Sequence, residues 1–181
     1  FIMPKKALNL LKNSLPADLS EVKVNFNKSN AFFSFSDFSL ICRLIDEKYP
    51  DYKAVIPIEN PNKLTIDKGE FQSAVKRISI TSNKTTYQIR LKFVGSELTI
   101  SSEDIDYENE GVEKLAANFE GEDLEIGFNS KYLGEVLGAI DSSNMTLEMS
   151  QPNRAGVIIP SETEDGEDIL MLVMPMMLNN Y

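Results

Sequence analysis

A chain of 181 residues, 42% of them apolar, can bury the core of one large domain or of one and a half ordinary ones. It has no histidine, so the commonest metal ligand and the commonest general base are missing, and its single cysteine excludes an internal disulfide. A formal charge of −10 repels nucleic acid if spread evenly, so its distribution matters more than its total.

In chain order, the strand-like start Phe1-Ile-Met3 precedes a predicted amphipathic helix at 4–14, with Pro4 at its start and Leu8 and Leu11 at helical spacing. The start lacks the apolar stretch of a signal peptide, and no 18-residue apolar run occurs, so neither a leader nor a membrane helix is expected. Strands follow at 21–26, 31–35 and 38–44, with a turn at 27–30. Cys42 lies in the last of them and reads as a small buried hydrophobe, because no histidine can activate it. The proline-rich polar stretch 57–62 reads as the break between two pieces.

A strand at 63–67 leads to a helix at 69–80 with Phe71, Ala74, Val75 and Ile78 on one face, then strands at 87–93 and 97–101 around a turn at 94–97. Residues 104–111 read as a solvated acidic connection. They loosely resemble a calcium loop, but the glycine is eighth rather than sixth and no ligand follows at the twelfth position, so no metal is expected. A strand at 123–128 leads to a helix at 130–140, capped by Asn129, with Leu133, Val136, Leu137 and Ile140 inward. Strands at 145–149 and 156–159 and a hairpin turn at 164–168 come next. The tail, 169–178, is an almost unbroken apolar run, which must be buried or kept for contact. Residues 169–173 read as a core strand. Pro175 argues against an ordinary strand beyond it. Met171, Met174, Met176 and Met177 favour a deformable contact surface at 174–178, because unbranched thioethers repack around different partners.

Strand, helix, then antiparallel strands thus occurs three times, with helices about 60 residues apart, which predicts a repeated α+β architecture. The odd count and the clipped first unit read as a fragment whose amino-terminal part is absent. The helical segments carry Lys5, Lys6, Lys12, Lys76, Arg77 and Lys131 against Glu70 and Glu135, a net +4 in a chain of −10, so −14 falls on the rest. Basic helices on an acidic body suit a protein that holds a polyanion on one face and repels it elsewhere; lysines decorating the wet side of helices are the plainer reading.

Leu44-Ile-Asp-Glu-Lys-Tyr-Pro-Asp-Tyr-Lys-Ala-Val-Ile-Pro57 and the ending Val173-Met-Pro-Met-Met-Leu178 together resemble the bacterial sliding clamp, the beta subunit of DNA polymerase III. Ile80-Thr-Ser-Asn-Lys84, 91–102 and 121–132 support the likeness, which runs along nearly the whole chain. Asn153-Arg-Ala-Gly156 and the last residues, Asn-Asn-Tyr181, depart from the commonest form. The resemblance implies a DNA-clamp fold of strand–helix–strands half-repeats, three of them here, making one and a half clamp domains. Residues 1–58 correspond to the second half of a middle domain and 59–181 to a complete third domain.

The resemblance further implies a non-catalytic cytoplasmic processivity factor without cofactor, associated with the bacterial nucleoid. Its homodimeric ring encircles duplex DNA and docks the polymerase III alpha subunit, the clamp loader and other clamp-motif proteins. It makes Lys5, Lys6, Lys12, Lys76, Arg77 and Lys131 the DNA-facing residues. It makes Pro50, Ala54, Val55, Asn129, Tyr132, Arg154, Gly156, Leu172, Met174, Pro175, Met176 and Met177 one peptide-docking groove. Ala54 and Met177 stand where the family commonly has arginine, and Arg154 where an aliphatic is common. Ile78, Ile80 and Thr81 correspond to the ring-closing surface, whose mate this chain lacks, so the ring is not expected from these 181 residues alone. The competing reading is a freestanding interaction module that uses the tail without touching DNA. No Gly-x-Ser-x-Gly, phosphate-binding glycine loop or Cys/His cluster points to an enzyme.

Overall fold

A computed structural model describes residues 1–18 and 21–178, in two units, Phe1–Tyr52 and Lys53–Tyr181. Asn-Asn-Tyr181, noted above as departing from the resembled pattern, lies outside the described residues.

In the first unit, helix α1 (Lys5–Ser14) starts after Pro4, whose extended backbone and missing N–H suit a helix start. Three antiparallel strands follow: β1 (Lys23–Phe26), β2 (Asn30–Phe35) and β3 (Phe38–Arg43), in that spatial order. The turn between β1 and β2 is held by Asn27, whose Oδ1 accepts from Ser29 N at 2.9 Å and Asn30 N at 2.8 Å. Ile2 bridges to Ile45, which is all of the first strand that forms. Ala31, Phe33 and Leu44 make a small core, with Met3 and Leu11 against it. Cys42 is buried, as expected. The pairings Val24 with Phe33, Phe26 with Ala31, and Phe35 with Phe38 put those side chains on one sheet face. Yet Phe26 and Phe38 remain 66% and 62% exposed, and α1 buries no residue. Leu8, expected to face inward with Leu11, is exposed too. We expect the 181-residue chain to self-associate through this face. Sedimentation velocity should show a concentration-dependent mass that falls when Phe26 and Phe38 become serine; a monomer at every concentration contradicts this.

The second unit contains two matching halves. The first is β4 (Asn62–Asp67), α2 (Lys68–Thr81), β5 (Gln88–Val94), β6 (Glu97–Asp104), β7 (Asn109–Ala116) and β8 (Asn118–Glu120). The second is β9 (Leu124–Asn129), α3 (Ser130–Gly138), β10 (Asn144–Met149), β11 (Gly156–Pro160), β12 (Met171–Val173) and β13 (Pro175–Met176). Two five-stranded antiparallel sheets result, ordered β12-β11-β10-β4-β8 and β13-β9-β5-β6-β7. Each half's leading strand therefore pairs with the other half's first strand after the helix, and each half's last short strand crosses to the other sheet.

Strand alternation builds the core: Leu64 and Ile66, Ile89, Leu91 and Phe93, and Met145, Leu147 and Met149 all point inward. Phe71, Ala74, Val75 and Ile78 of α2 and Leu133 and Leu137 of α3 fill the same core, as their spacing predicts. Asp67 caps α2 by accepting from Glu70 N at 2.7 Å, so the helix begins one residue earlier than expected. Asn129 caps α3, accepting from Lys131 N at 2.9 Å and Tyr132 N at 3.2 Å. This helix ends at Gly138, short of Ile140, which is nonetheless buried. The hairpin turn at 164–168 forms, with Glu167 N donating to Glu164 O at 3.0 Å and Gly166 at φ +89°.

The acidic stretch 104–111, expected as a solvated connection, ends β6, makes one 3-10 turn (Ile105–Tyr107) and opens β7. The inward positions of β7 are Gly111, Glu113 and Leu115, too polar a series to announce a strand.

Candidate functional site

The tail is a crossing between sheets. β12 pairs with β11, Gly156 opposite Val173 and Val157 opposite Leu172. The chain then leaves that sheet at Met174, and β13 pairs with β9, Pro175 opposite Phe128 and Met176 opposite Gly127. Pro175 thus lies in a strand, against expectation. It is tolerated because β13 is a two-residue edge strand whose outer side needs no N–H. The register of β13 on β9 brings the tail to the start of α3, where Asn129 and Tyr132 sit. Gly156 pairs beside Val173, and Arg154 precedes it in the turn from β10 to β11. The expected groove residues of this unit therefore gather around one corner: Asn129, Tyr132, Arg154, Gly156, Leu172 and Met174–Met177.

Met174 and Met177 are 65% and 76% exposed, and Tyr132 is exposed too, whereas Leu172, Pro175 and Met176 are half-buried. Exposed thioethers on a paired, anchored backbone make a soft apolar ridge. The equivalent crossing in the first half, from β7 to β8, turns at Ala117, which packs against the core. Core closure therefore needs no methionine at this corner. Gly156 and Asn129 have structural work of their own. A Cβ on Gly156 would meet Leu147 Cδ1 at 3.0 Å, so its bareness lets β11 lie on the core. Asn129 caps α3 and donates from Nδ2 to Thr86 O at 2.9 Å. Pro50 is exposed in the first unit, and Ala54 and Val55 are exposed on a 3-10 turn, Tyr52–Val55.

Two residues that shape this corner were not singled out from the sequence. Gly127 lets β13 approach: an added Cβ would stand 2.7 Å from Met176 O and 2.8 Å from Leu178 Cδ2. An isolated glycine inside a predicted strand was the available signal. Gln88 Nε2 donates to Met177 O at 3.3 Å, a tertiary contact with no sequence mark.

The basic residues differ among themselves. Lys5, Lys6 and Lys12 are exposed on α1, and Lys76 is exposed on α2. Arg77 is engaged, its Nε and Nη2 both donating to Glu113 of β7, the former at 3.0 Å. That hydrogen bond holds the Glu113 carboxyl below, and the Arg77 guanidinium above, its usual range. The stabilisation is present above the ordinary carboxylate range and is lost as pH falls through the lowered Glu113 value. Lys131 lies in the first turn of α3, where the helix dipole disfavours a cation, and its Nζ sits 3.4 Å from the centroid of the Tyr87 ring. Tyr87 is fixed at φ 53°, its N donating to Asn83 O and its O accepting from Ser130 N, both at 2.8 Å.

Of the three residues expected on a ring-closing surface, Ile80 is 68% exposed. Ile78 is instead a core residue, 5% exposed, and presents no surface. Thr81 is half-buried, with Oγ1 2.8 Å from Ser102 Oγ and donating to Ile78 O at 3.0 Å. It closes the helix end rather than offering an apolar contact.

A family model described as DNA polymerase III beta subunit, C-terminal domain, matches residues 53–177. The chain is 29% identical over 177 residues to the beta sliding clamp of Vibrio cholerae, covering 98% of this chain and 47% of that protein. To the beta sliding clamp of Staphylococcus epidermidis it is 27% identical over 176 residues, covering 97% and 46%. Among solved structures, the DNA polymerase sliding clamp of Pseudomonas aeruginosa superposes with a TM-score of 0.91 at 28% identity, covering 97% of this chain and 47% of that one. The sliding clamp of Bartonella birtlesii, bound to griselimycin, superposes with a TM-score of 0.91 at 29% identity, covering 98% and 47%. The chain spans about half the length of the curated relatives it matches.

Proposed function

Because the chain belongs to the DNA polymerase III beta subunit family, the sliding clamps, we propose that it is part of a DNA-encircling processivity factor that docks partner proteins on its tail ridge. Residues 1–58 are read as the second half of a middle clamp domain and 59–181 as a third domain. The ring is a homodimer around duplex DNA in the bacterial cytoplasm. Its partners are the polymerase, the clamp loader and other proteins carrying a short apolar motif. It is non-catalytic. Such a ring holds DNA by topology, so its basic helices need only weak, salt-screened phosphate contacts.

The observation that carries the docking half is the tail crossing. An anchored corner exposes Met174 and Met177 where its counterpart packs Ala117 against the core. Extended peptides gain affinity and tolerance from such a methionine-lined surface with a few polar neighbours. The DNA half is tested with the complete gene product on primed circular DNA. Retention that vanishes when the circle is cut supports encirclement, and equal retention on both forms sinks it.

The freestanding module is a second reading, favoured by the engagement of Arg77 with Glu113 and of Lys131 with Tyr87. Glu113→Gln separates the two. If α2 faces DNA, freeing Arg77 should tighten retention at low salt and steepen its salt dependence by about one counterion. The same variant should lose the acid-side fall in stability that comes from Glu113 protonation. Unchanged retention would favour the module.

A further inference from the structure

We propose that Arg154 makes the tail ridge selective for peptides that carry an acidic side chain beside their apolar anchor. The inference rests on the docking reading and adds the chemistry of the partner.

Arg154 closes the turn from β10 to β11, its N donating to Gln151 O at 3.0 Å, and its side chain is exposed. The pairing of Gly156 with Val173 puts this turn at the end of β11 where Met174 leaves β12. Among the described residues, Arg154 takes part in none of the ion pairs. The loop joining β11 to β12 carries Glu162, Glu164, Asp165, Glu167 and Asp168 at the other end of the strand pair. The five residues of β11 separate these two ends by about 16 Å, roughly two screening lengths at physiological salt.

Among the described residues the strand pair therefore carries a guanidinium outside any ion pair at the methionine end and carboxylates at the far end. An apolar side chain seated on Met174 and Met177 excludes water near Arg154 and strengthens any ion pair made there. Guanidinium is suited to that pair, because its planar fork meets a carboxylate through two parallel hydrogen bonds. The same polarity fixes direction, since a reversed peptide would carry its acid toward the acidic loop.

The test is calorimetry with two amidated extended peptides that share one apolar anchor and differ by Glu or Gln beside it. We expect the Glu peptide to bind about three- to fivefold tighter, with the preference shrinking as salt is raised. Arg154→Gln should erase the preference and Arg154→Glu should invert it, the ratio of the two affinities being the readout in each variant. Equal binding of both peptides to the unaltered chain overturns the role of Arg154 and leaves the docking reading standing. Failure of both peptides to bind overturns the docking reading itself, and this inference with it.

Discussion

Replacing Gly127 with alanine is expected to release the tail crossing and to weaken binding of an apolar-anchored peptide by about tenfold or more. The added Cβ would stand 2.7 Å from the Met176 carbonyl oxygen, closer than real Cβ contacts occur. A backbone atom cannot rotate away as a side-chain end can, so one strand must move. β9 is tied on its other edge to β5 through six residue pairs, whereas β13 holds it through two. β13 is therefore the strand that lets go. Overpacking costs of about 1–3 kcal/mol are enough to unseat so short a pairing, and about 1.4 kcal/mol is a factor of ten in affinity. Methyl NMR should show Met176, half-buried in β13, shifting toward a solvent-like position while Met145 and Met149, buried in the core, stay put. Gly134→Ala is the control: nothing stands within 4 Å of its added Cβ, and alanine favours the interior of α3. Undiminished peptide affinity in Gly127→Ala would mean that the tail crossing is not the docking surface.

The second large effect separates two isoleucines that the sequence places together. Ile78→Ala should destabilise the second unit by about 2–5 kcal/mol, because a fully packed side chain leaves a cavity. Ile80→Ala, two residues on, should change stability by no more than about 0.5 kcal/mol. Urea unfolding followed by circular dichroism measures both. If Ile80 lies on a ring-closing surface, its substitution should instead loosen subunit association of the complete gene product, read by the dilution at which the ring dissociates. Equal stability losses for the two variants would contradict the packing of α2.

Much of the local structure is legible in the chain. Phe71, Ala74, Val75 and Ile78 recur at helical spacing and do form one buried face, since only that face of α2 meets the core. The alternation in β4, β5 and β10 likewise predicts which side chains point inward. β7 carries no alternating apolar signal for the converse reason. The inner face of β7 offers a glycine and a glutamate before its leucine, and that glutamate is satisfied by Arg77 from another element. β13 escaped because a proline argues against a strand until the sheet edge that tolerates it is known.

The candidate site divides along the same line. The methionines mark 174–178 as a candidate contact surface, because unbranched thioethers repack around different partners. By itself the sequence determined the repeated strand–helix–strands order, the apolar faces and the segments worth watching, since those depend on residues close together in the chain. Only the tertiary structure decided that Met174 turns outward between two sheets, that Gly127 makes room for β13, and that Arg77 and Lys131 are already engaged. Each of those outcomes rests on a contact between residues far apart in sequence, and no period or propensity along one stretch encodes its distant partner.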